Sequence, residues 1–211
     1  MAELLRPDET LAVGIVLYDQ VEELDFCGPF ETFSVAAALS AGKSGHRERP
    51  AFTVFTVAEH DDLVKTGGGL RIQPDYSFQL APPVDIVVVP GGNTEPQLEN
   101  AALLEWLQHA TDHARISASV CTGAFLFGQI GLLEGHNATT HWGALEVLAA
   151  RFPATRVQQK VRWVDEGSLV TAAGISAGID MSLHVVERLL GREMAEQTAR
   201  MMEYRWNEGA E

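Results

Sequence analysis

Apolar residues fall along this chain in short blocks that alternate with longer stretches of helical period. The first block, residues 11–18 (LAVGIVLY), is almost unbroken, as in a strand buried on both faces of a parallel sheet. Residues 19–27 read as a loop. Gly28-Pro29 then opens a helix to about Ala41, with proline at the favoured first helical position. A polar surface loop covers residues 42–50 (GKSGHRERP), and residues 52–58 (FTVFTVA) form a second strand. Residues 64–78 carry Gly67-Gly68-Gly69 between two extended pieces, which predicts a hairpin or irregular excursion. A third core strand, residues 85–89 (DIVVV), runs into Pro90-Gly91-Gly92-Asn93. Residues 95–114 make an amphipathic helix carrying Leu98, Leu103, Trp106 and Leu107. Residues 116–133 read as strand, sharp turn at Cys121, and apolar helix. A short strand at 138–141 and a helix at 143–152 follow. Residues 161–164 and 169–173 flank the hairpin signal Asp165-Glu166-Gly167, and two helices, 178–190 and 193–204, close the chain. Strand and helix alternate over the whole length without repeat, linker or low-complexity tract. The pattern predicts one domain over residues 1–211, a doubly wound, mostly parallel α/β sandwich.

Charge and cysteine content narrow the function classes. The chain of 211 residues carries 15 basic and 29 acidic residues, a net charge of −14. A nucleic-acid partner needs a basic footprint, so none is expected. Two cysteines, Cys27 and Cys121, without a CxxC pair make neither a disulfide framework nor a structural zinc site. The first residues lack the basic and apolar regions of a secretory signal, and no apolar run reaches membrane-span length. A reducing cytoplasm and no membrane partner are expected.

Cys121 is the first candidate for chemistry. At the carboxyl end of a strand its thiol faces the crevice where open α/β sheets bind ligands, and the N–H groups of the next helix, which lower a thiol pKa. Thr122 and Gly123 suit an elbow with little room. A small buried hydrophobe is the alternative use of a free cysteine. Loops after successive parallel strands meet on one sheet edge. Glu22-Glu23-Leu24-Asp25, Gly91-Gly92-Asn93 and Cys121-Thr122 can therefore share a crevice, and Gly91 and Gly92 would let backbone N–H groups approach an oxyanion, although on their own they read better as a plain Pro-Gly-Gly turn. His141, in a strand-to-helix turn, can enter this pocket, although a hydrogen-bonded structural role is the preferred reading. His109 and His113 have the spacing of a metal pair but no third ligand. Gly174-Ile175-Ser176-Ala177-Gly178 matches G-x-S-x-G, but Asp180 and His184 follow within one helix; Ser176 is expected to cap that helix. Packing is the expected role of Cys27.

Five segments in order carry a resemblance: Leu24-Asp25-Phe26-Cys27-Gly28-Pro29-Phe30-Glu31-Thr32-Phe33, Val88-Val89-Pro90-Gly91-Gly92, Ser119-Val120-Cys121-Thr122-Gly123-Ala124, Ala138-Thr139-Thr140-His141-Trp142, and Thr171-Ala172-Ala173-Gly174-Ile175-Ser176-Ala177-Gly178-Ile179-Asp180. Together they resemble the ThiJ/PfpI superfamily, with its class I glutamine amidotransferase-like fold. Within it they are most similar to the isonitrile hydratase branch and to sensor domains of AraC-type regulators. The resemblance spans about residues 11–190. It implies a flavodoxin-like three-layer sandwich with a cysteine nucleophile elbow, and a homodimer. It implies that Cys121 is the nucleophile and Asp25 the acid beside it, in the Leu-Asp-x-x-Gly-Pro form of isonitrile hydratases. Relatives with protease or glyoxalase activity usually have His where this chain has Thr122.

The leading expectation is a lyase that hydrates an isonitrile to an N-substituted formamide. Cys121 attacks carbon to form a thioimidate, Asp25 handles protons and water, and Thr122 orients the substrate; no cofactor or metal is required. The alternatives are a non-catalytic ligand-sensing protein, or a cysteine-dependent hydrolase or glyoxalase-type enzyme acting on another small molecule. A carboxylate beside the sulfur raises the thiol pKa while the helix terminus lowers it, so Asp25 and Cys121 are expected to share one proton and titrate together.

Overall fold

A computed structural model describes residues 4–41 and 49–207. The chain begins with β1 (Leu11–Val16), α1 (Glu23–Ser40) and β2 (Phe52–Ala58). Three two-residue strands follow, β3 (Val64–Lys65), β4 (Arg71–Ile72) and β5 (Tyr76–Ser77). Next come β6 (Ile86–Val89), α2 (Ala101–His113), β7 (Ile116–Val120) and α3 (Ala124–Gln129). The last part contains β8 (Asn137–Ala138), α4 (Leu145–Arg151), β9 (Arg156–Val157), β10 (Trp163–Asp165), β11 (Leu169–Ala172), α5 (Ala177–Leu190) and α6 (Arg192–Met201).

Seven strands form the central sheet in the order β10-β11-β7-β6-β1-β2-β5. All its pairs are parallel except the edge pair β10–β11. The unbroken apolar runs explain this: the side chains of β6 and β7 are buried throughout, and β1 is buried but for Ala12. From β1 the chain winds outward to β2 and β5, then returns to β6 and winds the other way. Right-handed crossovers on opposite sides of that reversal place α1 and α2 on opposite faces, giving three layers. Helices α1, α5 and α6 pack together on one of them. No helix among the described residues is long and apolar enough to cross a membrane.

The pattern placed most elements, with corrections at their ends. Helix α1 starts at Glu23, so Pro29 lies inside it rather than at its first position. Proline at this seventh position lacks the N–H that would meet the Asp25 carbonyl and crowds that carbonyl, a cost of about 3 kcal/mol, and it is buried against the rest of the fold. Asp25 is therefore carried on a helix and not on a loop. The expected single helix over 95–114 is two pieces. A 3₁₀ turn, Glu95–Glu99, ends where the Asn100 side chain accepts the Leu103 N–H at 3.1 Å and caps α2. The expected strand at 138–141 is only β8, which pairs with the unforeseen β9. Thr139 and Thr140 leave the ladder because their hydroxyls bond Gln158 O (2.9 Å) and Cys121 O (2.7 Å). The triple-glycine stretch does form a hairpin, β3–β4. Most of the expected loop at 42–50 lies outside the described residues.

One glycine is set by close approach. A Cβ on Gly123 would run into the Val89 and Pro90 carbonyl oxygens, so the turn after β7 can lie against the end of β6 only without a side chain. Gly123→Ala is expected to cost about 1–3 kcal/mol by overpacking, read as a Tm lowered by roughly 3–10 °C in a thermal melt.

Candidate active site

Strand β7 delivers Cys121 into a 3₁₀ turn, Cys121–Gly123, that leads into α3. The cysteine backbone is left-handed, φ 56°. For a residue with a Cβ this is a strained conformation, costing about 1–3 kcal/mol and held only where neighbours over-determine it. Here the Cys121 N–H donates to Ala173 O at 3.0 Å, and its carbonyl accepts the Thr140 hydroxyl at 2.7 Å. The side chain is 8% exposed.

Asp25, in the first turn of α1, is fully buried. Its Oδ2 accepts the Gly91 N–H at 3.0 Å, while Oδ1 is buried with no hydrogen-bond partner. Gly91 has no room for a side chain: a Cβ would sit 2.6 Å from Thr122 N and 2.9 Å from Asp25 Oδ2. Three segments distant in sequence thus close on one point. The loops after β1 and β6 are also stitched directly, by Glu22 N–H to Gly91 O (2.9 Å) and Asn93 N–H to Gln20 O (3.0 Å). This is the sheet's reversal point, where open α/β folds place ligands.

The glycines serve differently from expectation. The Gly91 N–H is taken by Asp25, and the Gly92 N–H donates to Thr122 Oγ1 at 3.0 Å. The Thr122 hydroxyl returns a bond to Gly92 O at 3.1 Å. Neither glycine N–H is free for an oxyanion. They hold the acid and the threonine in place, because the Gly91 and Gly92 backbone bonds both side chains.

Burial dominates the electrostatics. It pushes the Asp25 carboxyl up to about 7, with the Glu22 charge adding to the rise and the Gly91 N–H opposing it. It pushes the Cys121 thiol up to about 12, helped by the Asp25 charge and opposed by the Thr122 N–H. The helix terminus was expected to lower the thiol pKa; it does not prevail, because desolvation outweighs the few N–H groups of a three-residue turn. The carboxyl and the thiol act on each other directly. Between about 7 and about 12 the carboxyl is ionised while the thiol keeps its proton.

His141 lies beside this site, its ring against Gly174, and its Nδ1 accepts the Gly143 N–H at 3.1 Å at the start of a short turn. That is a structural role. Ser176 precedes α5 but makes no side-chain cap bond, contrary to expectation, because its Oγ accepts from Arg162 at 3.2 Å. Asp180 pairs with Arg162 and His184 with Asp165, so no His–Ser arrangement forms. Cys27 is exposed, which corrects its expected packing role: it falls on the outer side of a helix that starts earlier than predicted. The His113 ring bonds the His109 carbonyl at 2.8 Å, and no cluster among the described residues could hold a metal ion.

Sequence reasoning placed Glu22 in the crevice but missed two contributors, Tyr18 and Ile175. Tyr18, buried at the end of the β1 run, donates to Pro90 O at 2.7 Å, and burial together with the Asp25 and Cys121 charges pushes its phenol well above the usual range. A polar tip ending an apolar strand was its one visible signal. The Ile175 N–H acts on Asp25, and Glu22 raises it by charge. Size does not mark the site: cavities of about 270 and about 320 Å³ are lined by neither Cys121 nor Asp25, although Tyr18 lines the first.

Comparison with known proteins gives a match to the DJ-1/PfpI family over residues 12–188. An isonitrile hydratase of Pseudomonas putida is 33% identical over 195 residues, 92% of this chain and 78% of that protein. The HTH-type transcriptional regulator GbdR of Pseudomonas aeruginosa is 28% identical over 92% of this chain, which spans only 50% of the regulator. A THiJ/PfpI family protein from Pseudomonas syringae superposes with a TM-score of 0.82 at 27% identity, covering 95% of this chain and 78% of that one.

The raised carboxyl has a stability consequence. A folded pKa of about 7 against an ordinary 3.8 means that protonated Asp25 favours folding. That contribution is complete below about pH 4 and is lost as pH rises through about 7. Asp25→Asn, neutral at every pH, should therefore raise Tm over wild type at pH 8 and lose that advantage at pH 4 in paired melts.

Proposed function

The chain belongs to the DJ-1/PfpI family, and on that premise we propose that it hydrates an isonitrile to an N-substituted formamide. One observation carries the reading: a buried carboxyl with an unpartnered oxygen, coupled to a thiol at a strained elbow, the carboxyl ionising at about 7 while the thiol keeps its proton. An isonitrile carbon must receive a nucleophile and a proton on the same atom. A thiol and a carboxyl joined by one proton supply both from adjacent positions.

In the first step the Cys121 Sγ–C bond forms while the thiol proton passes through Asp25 to that carbon. R–N≡C becomes the thioimidate R–N=CH–S. Asp25 then takes one proton from water as its oxygen adds to the carbon and passes that proton to nitrogen; as the C–S bond breaks, the remaining O–H proton goes to sulfur, and R–NH–CHO leaves with the thiol restored. Thr122, held by the Gly92 backbone, is the hydroxyl beside the reacting carbon.

The engagement of Gly91 and Gly92 favours this over acyl hydrolysis. A tetrahedral oxyanion needs free donors aimed at it, and both glycine N–H groups are committed. The first step of isonitrile addition builds no oxyanion. A ligand sensor without turnover is the second reading, favoured by the similarity to the regulator GbdR.

Incubation with a small panel of isonitriles should yield formamides, detected by mass spectrometry. Saturable binding without any product would instead select the sensor. Cys121→Ala is expected to abolish turnover and Ser176→Ala to retain most of it; the reverse ranking would make this a serine enzyme. Asp25→Asn keeps a donor beside sulfur but moves no proton, so turnover should fall roughly a hundredfold or more. We further propose a cytoplasmic homodimer; a clean monomer mass in light scattering at micromolar protein would reject the dimer.

A further inference from the structure

The turn after β11 touches both members of the pair. The Ala173 carbonyl accepts the Cys121 N–H at 3.0 Å, and the Ile175 N–H acts on the Asp25 carboxyl, holding its pKa down. Ile175 is itself left-handed, φ 53°, an uncommon state for a β-branched residue that its neighbours must enforce. Arg162, at the start of the β10 segment, grips this turn at both ends. Its carbonyl accepts the Ala173 N–H at 2.9 Å, and its Nη2 donates to Ser176 Oγ at 3.2 Å. The guanidinium is anchored on Asp180, which is fully buried in α5: Nε donates to Oδ2 at 2.9 Å and Nη2 also bonds that oxygen. Asp180 is fixed from behind, its Oδ1 accepting the Asn207 N–H at 2.9 Å and its carbonyl the Trp206 indole N–H at 3.3 Å.

We propose that Arg162 is a positioning residue for the Cys121–Asp25 pair, clamping the turn at residues 173–176 so that the Ala173 carbonyl stays on the Cys121 N–H and the Ile175 amide stays near Asp25. Charge and geometry separate its role from direct catalysis. The groups facing Asp25 are the Glu22 carboxylate, the Cys121 thiol and the Tyr18 phenol. Arg162 bonds Ser176 and Asp180 instead and acts through the turn. This gives the serine of the G-x-S-x-G match a use: it is the handle by which the turn is held.

The inference rests on the proposed function only in taking Cys121 and Asp25 as a working pair, and its test needs no isonitrile. The readout is the rate of Cys121 alkylation by iodoacetamide against pH. A Cys27→Ser background, substituted at the exposed position away from the pair, leaves Cys121 as the reacting thiol. Arg162→Gln combined with Asp180→Asn removes both charges, so no unpaired buried charge remains. With the Ile175 amide loosened, Asp25 should hold its proton longer. The acid limb of the profile is then expected to move up by roughly half a pH unit or more, which lowers the rate at pH 7 about twofold or more. Where an isonitrile is turned over, kcat should fall more than KM rises. A profile superimposable on that of the background, with only Tm lowered, would overturn the proposal and leave Arg162 a structural residue. If the double variant does not fold, Arg162→Lys keeps a cation on Asp180 but lacks the second arm to Ser176. The same upward shift is expected there, and an unmoved midpoint would overturn the proposal equally. Loss of hydration without loss of the shift would sink the isonitrile reading alone.

Discussion

Removing the Asp25 carboxyl from water beside the Cys121 thiol is the constraint on which the rest of the site depends. A buried carboxylate is costly unless something satisfies it. Here one oxygen accepts a backbone N–H and the other accepts no hydrogen bond among the described residues. The proton therefore stays on until about pH 7. The same burial holds the thiol proton to about pH 12, so over the neutral range the pair is a single acid with one proton to give. The stability that burial withholds at neutral pH is the source of a group able to donate and accept protons there.

Holding that arrangement takes backbone from several loops on this edge of the sheet. Tyr18 pins the Pro90 carbonyl, Glu22 and Gln20 bind the loop that follows β6, Thr140 pins the Cys121 carbonyl, and Ala173 the Cys121 N–H. Gly91 lacks a side chain because Thr122 and Asp25 occupy that space. The result is rigid and leaves both glycine N–H groups committed, which is the physical ground for preferring proton-coupled addition to carbon over chemistry that builds an oxyanion.

Three turns on this edge are left-handed at a non-glycine residue, at Gln20, Cys121 and Ile175. A nucleophile elbow strains the nucleophile itself. In Gly174-Ile175-Ser176-Ala177-Gly178 the strain falls on isoleucine, while Ser176 has an ordinary φ of −66°. The letters of the serine-hydrolase motif are present, but its geometry belongs to the cysteine one strand away.

Apolar periodicity determined the α/β alternation, the parallel core strands β1, β6 and β7, and the position of Cys121 at a strand end, because burial on two faces leaves an unbroken apolar run that polar surfaces cannot imitate. The short segments with Asp25, Gly91 and Thr122 were visible for the same reason, as the residues following such runs. Tertiary structure decided what each of them does. Whether Asp25 rides a loop or a helix turned on Pro29 being tolerated seven residues into α1, which local preference argues against. Whether the glycine N–H groups were free depended on side chains arriving from α1 and from the turn after β7, more than 25 residues away in either direction. The direction of the thiol shift depended on how much water the closed loops exclude, a quantity carried by no single segment of the chain. Arg162 gave no signal at all, since an arginine beside a strand is an ordinary surface residue until Asp180, two elements later, is folded underneath it.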